Sequence, residues 1–470
     1  MEVPAIDKRR YTTILQLLAD PITSFWGMLT KLEAWRRCRF LAEADKYSRP
    51  RRGPGKSIVT TPSREHTRNV AAIFGALEEL VGFDTRPDTL FDLIIELSNK
   101  SPSEMEAIIA RTAHEVSDSR TDERLRTLLA AFFYLFQVIS AFVATVGGES
   151  SSPPGGRIGT AIFLTFILPA ILLSNAMGGF TTRRTCFRIM DRFVCEMDPG
   201  SNLWELIKEK SPQFRKANNL EQYYNSQPWS GAIYTYRPNK TLAFQTGSRD
   251  RSPLTLLLLA TLPILISSST AFAIIYNTPP ASMNCRTFWV LGITLAWFVS
   301  AFITWVTWKP AESASPGHKP SRYGCSGSLH WAFILTKDVL FAVPICLLII
   351  LSSCGLFNTC TCWSGLYSFG IAGTKVALNS TGYFLENGKH LYPMLVGICL
   401  GGQFLVFGIM MWSGWAGWRN MRWREKDRME ECNGSDEDVG EGLGTERVVA
   451  PPQNREKRMV VVRIQEGEDS

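Results

Sequence analysis

The most chemically distinctive residues of this 470-residue chain are Lys337 and Asp338, adjacent charges inside an otherwise apolar run. A charge within a bilayer is costly, so such a pair marks an ion-coupling site or an anchor. Counted from Leu329 at 1.5 Å per residue, Lys337 lies about 12 Å along a helix, from where a lysine stem can snorkel to the headgroups. The pair is therefore expected to be an interfacial anchor or a helix-to-helix contact. On that basis it tolerates Lys337→Arg together with Asp338→Glu. Four cysteines, Cys285, Cys354, Cys360 and Cys362, sit where an oxidising side would bridge them. Two disulfides are expected, and Cys360 does not pair with Cys362 because that loop is too tight. Cys38, Cys186, Cys195, Cys325 and Cys432 are expected to stay reduced.

Other chemistry is sought and not found. Gly53, Pro54, Gly55, Lys56 and Ser57 resemble the end of a phosphate-binding loop, but Pro50 stands where its first glycine belongs and no strand pattern precedes it. A basic, proline-rich linker accounts for the stretch. The histidines, at 66, 114, 318, 330 and 390, have no spaced ligand partner, so no metal site is expected. No catalytic motif and no cofactor-binding fingerprint is visible, and no enzymatic activity is expected.

The elements around these residues are apolar helices. A span needs about 20 mostly apolar residues to cross the hydrocarbon with every backbone group bonded. Six segments qualify: Thr127 to Val146, Ile158 to Phe180, Pro253 to Tyr276, Thr287 to Trp308, Leu329 to Ser353, and Leu391 to Trp412. Pro169, Pro263 and Pro344 lie inside them as expected kinks. The fold class is thus all-α, a polytopic membrane protein with about six transmembrane helices. Lys and Arg crowd the loop between spans two and three, the loop after span four and the start of the tail, which places both termini in the cytoplasm. The net charge of +7 is too small for this length to mark a nucleic-acid binder. The lipid bilayer is the expected partner. The residence expected is the secretory pathway or the plasma membrane.

Residues 1–126 read as a cytoplasmic helical region. Asp20 before Pro21 starts a helix whose Ile22, Phe25, Trp26, Leu29 and Leu32 share a face. Flanked by Lys31, Arg36, Arg37 and Arg39, it either lies on an anionic membrane surface or, as favoured here, packs on the next helix. Val70 to Val81 and Asp88 to Leu97 read as further helices. Ser101, Pro102 and Glu104 open one more with a capping box. Spans one and two fill 127–180, a cytoplasmic loop 181–252, spans three to six 253–412, and a charged, disordered cytoplasmic tail 413–470. The loop shows no continuous periodicity beyond a short helix from Asn202 to Lys210. Its aromatic run, Tyr223 to Tyr236, suggests that it docks on the N-terminal region.

Several stretches resemble a group of uncharacterised multi-pass membrane proteins of filamentous fungi: Ser152 to Ile158, Gly178 to Cys186, Asp118 to Glu123, and Gln227 to Ser230. The resemblance implies no activity. The expected function is a scaffold or sensor-like role, with a transporter or channel as the alternative, and a cytoplasmic protein is the expected partner of the N-terminal region. The orientation carries a direct test. Asn379, followed by Ser380 and Thr381, faces outward and is expected to be glycosylated, while Asn99, Asn239 and Asn433 stay bare. A glycosidase mobility shift that survives Asn379→Gln and disappears with Asn239→Gln would invert the topology.

Overall fold

The computed structural model describes residues 17–43, 64–81, 87–119, 132, 155–177, 183–210, 251–277, 283, 285–312, 327–353 and 388–421, and every regular element among them is a helix. The first expected span lies outside the described residues except for Phe132, and so do the aromatic run and the tail beyond residue 421.

Helix α1 (Pro21–Glu43) starts as its residue types require. Asp20 accepts the Thr23 amide at 3.0 Å, and Pro21 has no amide to leave unbonded in the first turn. Helices α2 (Arg64–Val81), α3 (Pro87–Leu97) and α4 (Pro102–Asp118) follow. The capping box of α4 is present. The Glu104 amide donates to Ser101 Oγ and the Ser101 amide to Glu104 Oε2, which holds the Glu104 carboxyl below its usual range. Phe74 of α2 meets the ring of Phe91 in α3 edge-on at 5.2 Å.

The loop after span two is more ordered than its sequence suggested. Arg183–Met197 forms α7 and Leu203–Lys210 forms α8. In α7 the residues Cys186, Ile189, Met190, Phe193, Val194 and Met197 are buried. Their spacing is a helical stripe, so the absence of continuous periodicity is corrected for residues 183–197. The stripe packs α7 on α2, α3 and α4, and Arg111 and Arg192 pair with Glu196 and Glu115 across its rim.

Five segments among the described residues are long and apolar enough to cross a membrane. The first is broken into α5 (Gly155–Phe163) and α6 (Ile167–Met177). Pro169 explains the break, because its ring excludes the carbonyl four residues earlier, that of Thr165, from helical bonding. That carbonyl instead accepts the Leu168 amide at 3.0 Å, in a tighter turn. The others are α9 (Pro253–Asn277), α10 (Cys285–Glu312), α11 (Gly327–Ser353) and α12 (Gly388–Met421). Along α9 the side chains of Leu254, Leu258, Leu262 and Leu265 are exposed, while Ala260, Ile264, Ala271 and Ile274 are buried. Such an apolar outer face suits lipid, and the chain is a polytopic all-α membrane protein.

Helix α1 departs furthest from expectation. It packs on α2 as favoured, but also on α6, α9, α10 and α12, and it is buried on nearly all sides. The alternative of a helix lying on a lipid surface is overturned. Its charged flank is paired instead: Lys31 Nζ lies 3.2 Å from Glu79, Arg37 3.6 Å from Glu78, and Glu33 accepts the Arg251 amide at 3.1 Å. Two glycines let α12 approach it closely. A Cβ on Gly414 would meet Leu32 side-chain atoms at 2.8 Å, and one on Gly417 would stand 2.5 Å from the backbone nitrogen of Arg36. The N-terminal helices are therefore continuous with the membrane bundle through α1.

Candidate functional site

Where α1 begins, the chain enters a cluster of buried charge. Asp20 is 1% exposed, and its Oδ2 accepts from Ser300 Oγ at 3.1 Å, Thr304 Oγ1 at 3.0 Å and Lys337 Nζ at 3.0 Å. Lys337 Nζ also donates to Ser300 Oγ at 2.7 Å and lies 2.8 Å from Asp338 Oδ1. Ser300 and Thr304 belong to the apolar span Cys285–Val306, and Lys337 and Asp338 to the span Phe333–Ile350. Asp20 thus sits against the ends of two candidate spans, although its own helix is not one of them.

The segment before Asp20 is held by its backbone. Residues 17–19 are helical, the helix breaks at Asp20, and the Leu18 carbonyl accepts Trp297 Nε1 at 2.7 Å. Broken helices at membrane depth need such partners for their freed carbonyls. The Trp297 ring in turn stacks on Phe163 with centroids 5.0 Å apart and meets Phe166 edge-on at 5.1 Å. Those two phenylalanines flank the break between α5 and α6. One tryptophan therefore bridges the two helix breaks in the bundle.

Lys337 does not snorkel. It is 6% exposed and points to α1 and α10, so the interfacial-anchor reading is corrected and the helix-to-helix contact is what the structure displays. The partner was not foreseen, since Asp20 is 317 residues away. Lys337 Nζ is closed in by Asp20, Ser300 and Asp338, so Lys337→Arg with Asp338→Glu tests how much room the cluster leaves for a planar guanidinium.

The two carboxylates are placed differently. Asp20 has four donors, including the Thr23 amide, and lies at the positive end of α1. Asp338 is 1% exposed. The Lys337 ammonium lies 2.8 Å from its Oδ1, and among the described residues no hydroxyl or amide donates to either oxygen. A second buried amide lies between α12 and α9, where Gln403 Nε2 donates to the Pro263 carbonyl at 2.8 Å.

The remaining expected sites fall elsewhere. Cys285, at the start of α10, is disulfide-bonded, and Cys354, Cys360, Cys362 and the acceptor Asn379 lie outside the described residues. Cys38, Cys186 and Cys195 are free thiols, as are Cys346 and Cys399. Burial and the nearby Glu78 carboxylate push the Cys38 thiol well up, which suits a structural rather than a nucleophilic cysteine. No group of three or more His, Cys, Asp or Glu side chains is arranged for a metal among the described residues.

Together these features define a polytopic helical membrane protein whose N-terminal helix is held in its bundle by a buried charge network. No protein-family model, curated protein or solved structure matches the chain.

Proposed function

We propose that the protein is a membrane sensor or scaffold in which α1 carries the state of the buried cluster to the N-terminal helices, which the charge pattern of the loops assigns to the cytoplasm. The observation that carries this is the double attachment of one rigid rod. At its start α1 is held by Asp20 to Lys337, Ser300 and Thr304; further along, Lys31 and Arg37 bind Glu79 and Glu78 of α2. The helix is about 34 Å long at 1.5 Å per residue, so a shift at one end reaches the other. The outer face of the α2, α3, α4, α7 unit is where a cytoplasmic protein would bind.

A second function, transport, is favoured by one observation, the helix break at Asp20 against two candidate spans, since transporters build substrate sites from discontinuous helices. Flux separates the two. Purified protein reconstituted in liposomes is expected to move neither protons, alkali cations nor amino acids above the protein-free rate. Flux that Lys337→Met abolishes would overturn the sensor assignment and install the carrier.

A further inference from the structure

Charge counting at the cluster leads to a ligand. Among the described residues it contains two carboxylates and one ammonium, all shut away from solvent, so with every group ionised these carry one uncompensated negative charge. Buried charge without a partner is strongly disfavoured, and one cation more is needed for balance. A metal ion is a poor candidate. Alkali and alkaline-earth cations need several oxygen ligands, whereas Asp20 Oδ2 is already filled by three donors and the Lys337 ammonium stands 2.8 Å from Asp338. A proton needs only one oxygen.

We propose that the cluster is a proton-binding site and that Asp338 is the group that takes up and releases the proton. Asp20 already accepts four donors at the N-terminus of α1. Asp338, with no hydroxyl or amide donor on either oxygen among the described residues, has less to lose than Asp20 on becoming neutral. The charged groups that act on it are Lys337 on its own helix and Asp20 on α1. Of the helices that pack on its own, α10 gives its Ser300 and Thr304 hydroxyls to Asp20, and α5 carries Arg157 in its first turn and no other ionisable residue.

The consequence is a latch. When Asp338 is neutral, Lys337 has Asp20 as its one anionic partner and α1 is held. Loss of the proton creates a second anion 2.8 Å from the same ammonium, draws Lys337 from Asp20 and loosens the start of α1. This assignment goes beyond the sensor function and does not depend on it, since a carrier would use the same proton.

The test uses the full chain in lipid nanodiscs with two readouts. Infrared difference spectroscopy across a pH step is expected to show a protonated, buried carboxyl band that shifts in deuterated water and is absent in Asp338→Asn. Hydrogen exchange at the amides of residues 23–28 is expected to rise at least tenfold as pH is raised, following a one-proton curve. In Asp338→Asn, which mimics the neutral acid, exchange stays low at every pH. Absence of the band in the unmodified protein, or an unchanged band or titration in Asp338→Asn, overturns the proposal. Should Asp338→Asn fail to fold, Asp338→Glu replaces it, and a titration midpoint identical to that of the unmodified protein overturns the proposal equally. Proton flux in liposomes is scored separately, so a carrier outcome leaves this result standing.

Discussion

Lys337→Met is expected to destabilise the folded protein by about 3–5 kcal/mol, the cost typical of removing one partner from a buried ion pair. The methionine fills a similar volume, so the loss is electrostatic rather than a cavity. Asp20 and Asp338 would then share the site with no cation between them, and Ser300 and Thr304 donate to only one of them. The rescue is specific. Asp20→Asn keeps a good helix cap and its acceptor oxygen while removing one anion, so the double variant Asp20→Asn with Lys337→Met is expected to recover at least half of the loss. Thermal unfolding in detergent, monitored on all four proteins, completes the cycle. Additive single and double effects would mean that the two residues do not act on each other, and the cluster would lose its standing as a latch.

The second large effect concerns the seam between α1 and α12. At Gly417 an added Cβ meets backbone, Arg36 N at 2.5 Å and Trp35 C at 2.9 Å, which cannot move without displacing the helix. At Gly414 it meets the side chain of Leu32 at 2.8 Å, whose rotamer can adjust. Overpacking of this kind costs about 1–3 kcal/mol, so Gly417→Ala should fall at the upper end and Gly414→Ala at the lower. The readout is protease cleavage within α1, which is buried in the intact protein and becomes accessible when the two helices part. Equal protection of both variants would show that the seam is looser than its geometry.

Much of the fold could be read from local pattern. Span three was expected from Pro253 to Tyr276 and the helix runs Pro253–Asn277; Asp20 caps α1 and the Ser101 capping box opens α4, each from rules that reach only three or four residues. What escaped depends on long-range partners. Lys31 and Arg37 look like a solvent-facing flank until Glu79 and Glu78, over 40 residues later, are brought against them. The α7 stripe was missed because arginines at 183, 184, 188 and 192 mask its apolar face in the average. One signal for the cluster was present: a lysine inside a span needs a counter-charge, and an aspartate opening a helix with Thr23, Ser24 and Gly27 on it, small residues suited to close packing, was a candidate.

The burial of α1 also dictates an order of assembly. The ribosome makes this helix well before the residues that enclose its start, because Trp297, Ser300, Thr304 and Lys337 emerge about 280 to 317 positions later. With Lys31, Glu33, Arg36 and Arg37 in its length, α1 is too polar to be released into lipid as a span while it waits. It must remain in water through most of synthesis, with its apolar stripe a natural client for a chaperone, and dock only after α11 and α12 are in place. A segment translated early is thus fitted late, and nascent chains halted before residue 337 would leave Asp20 without Lys337.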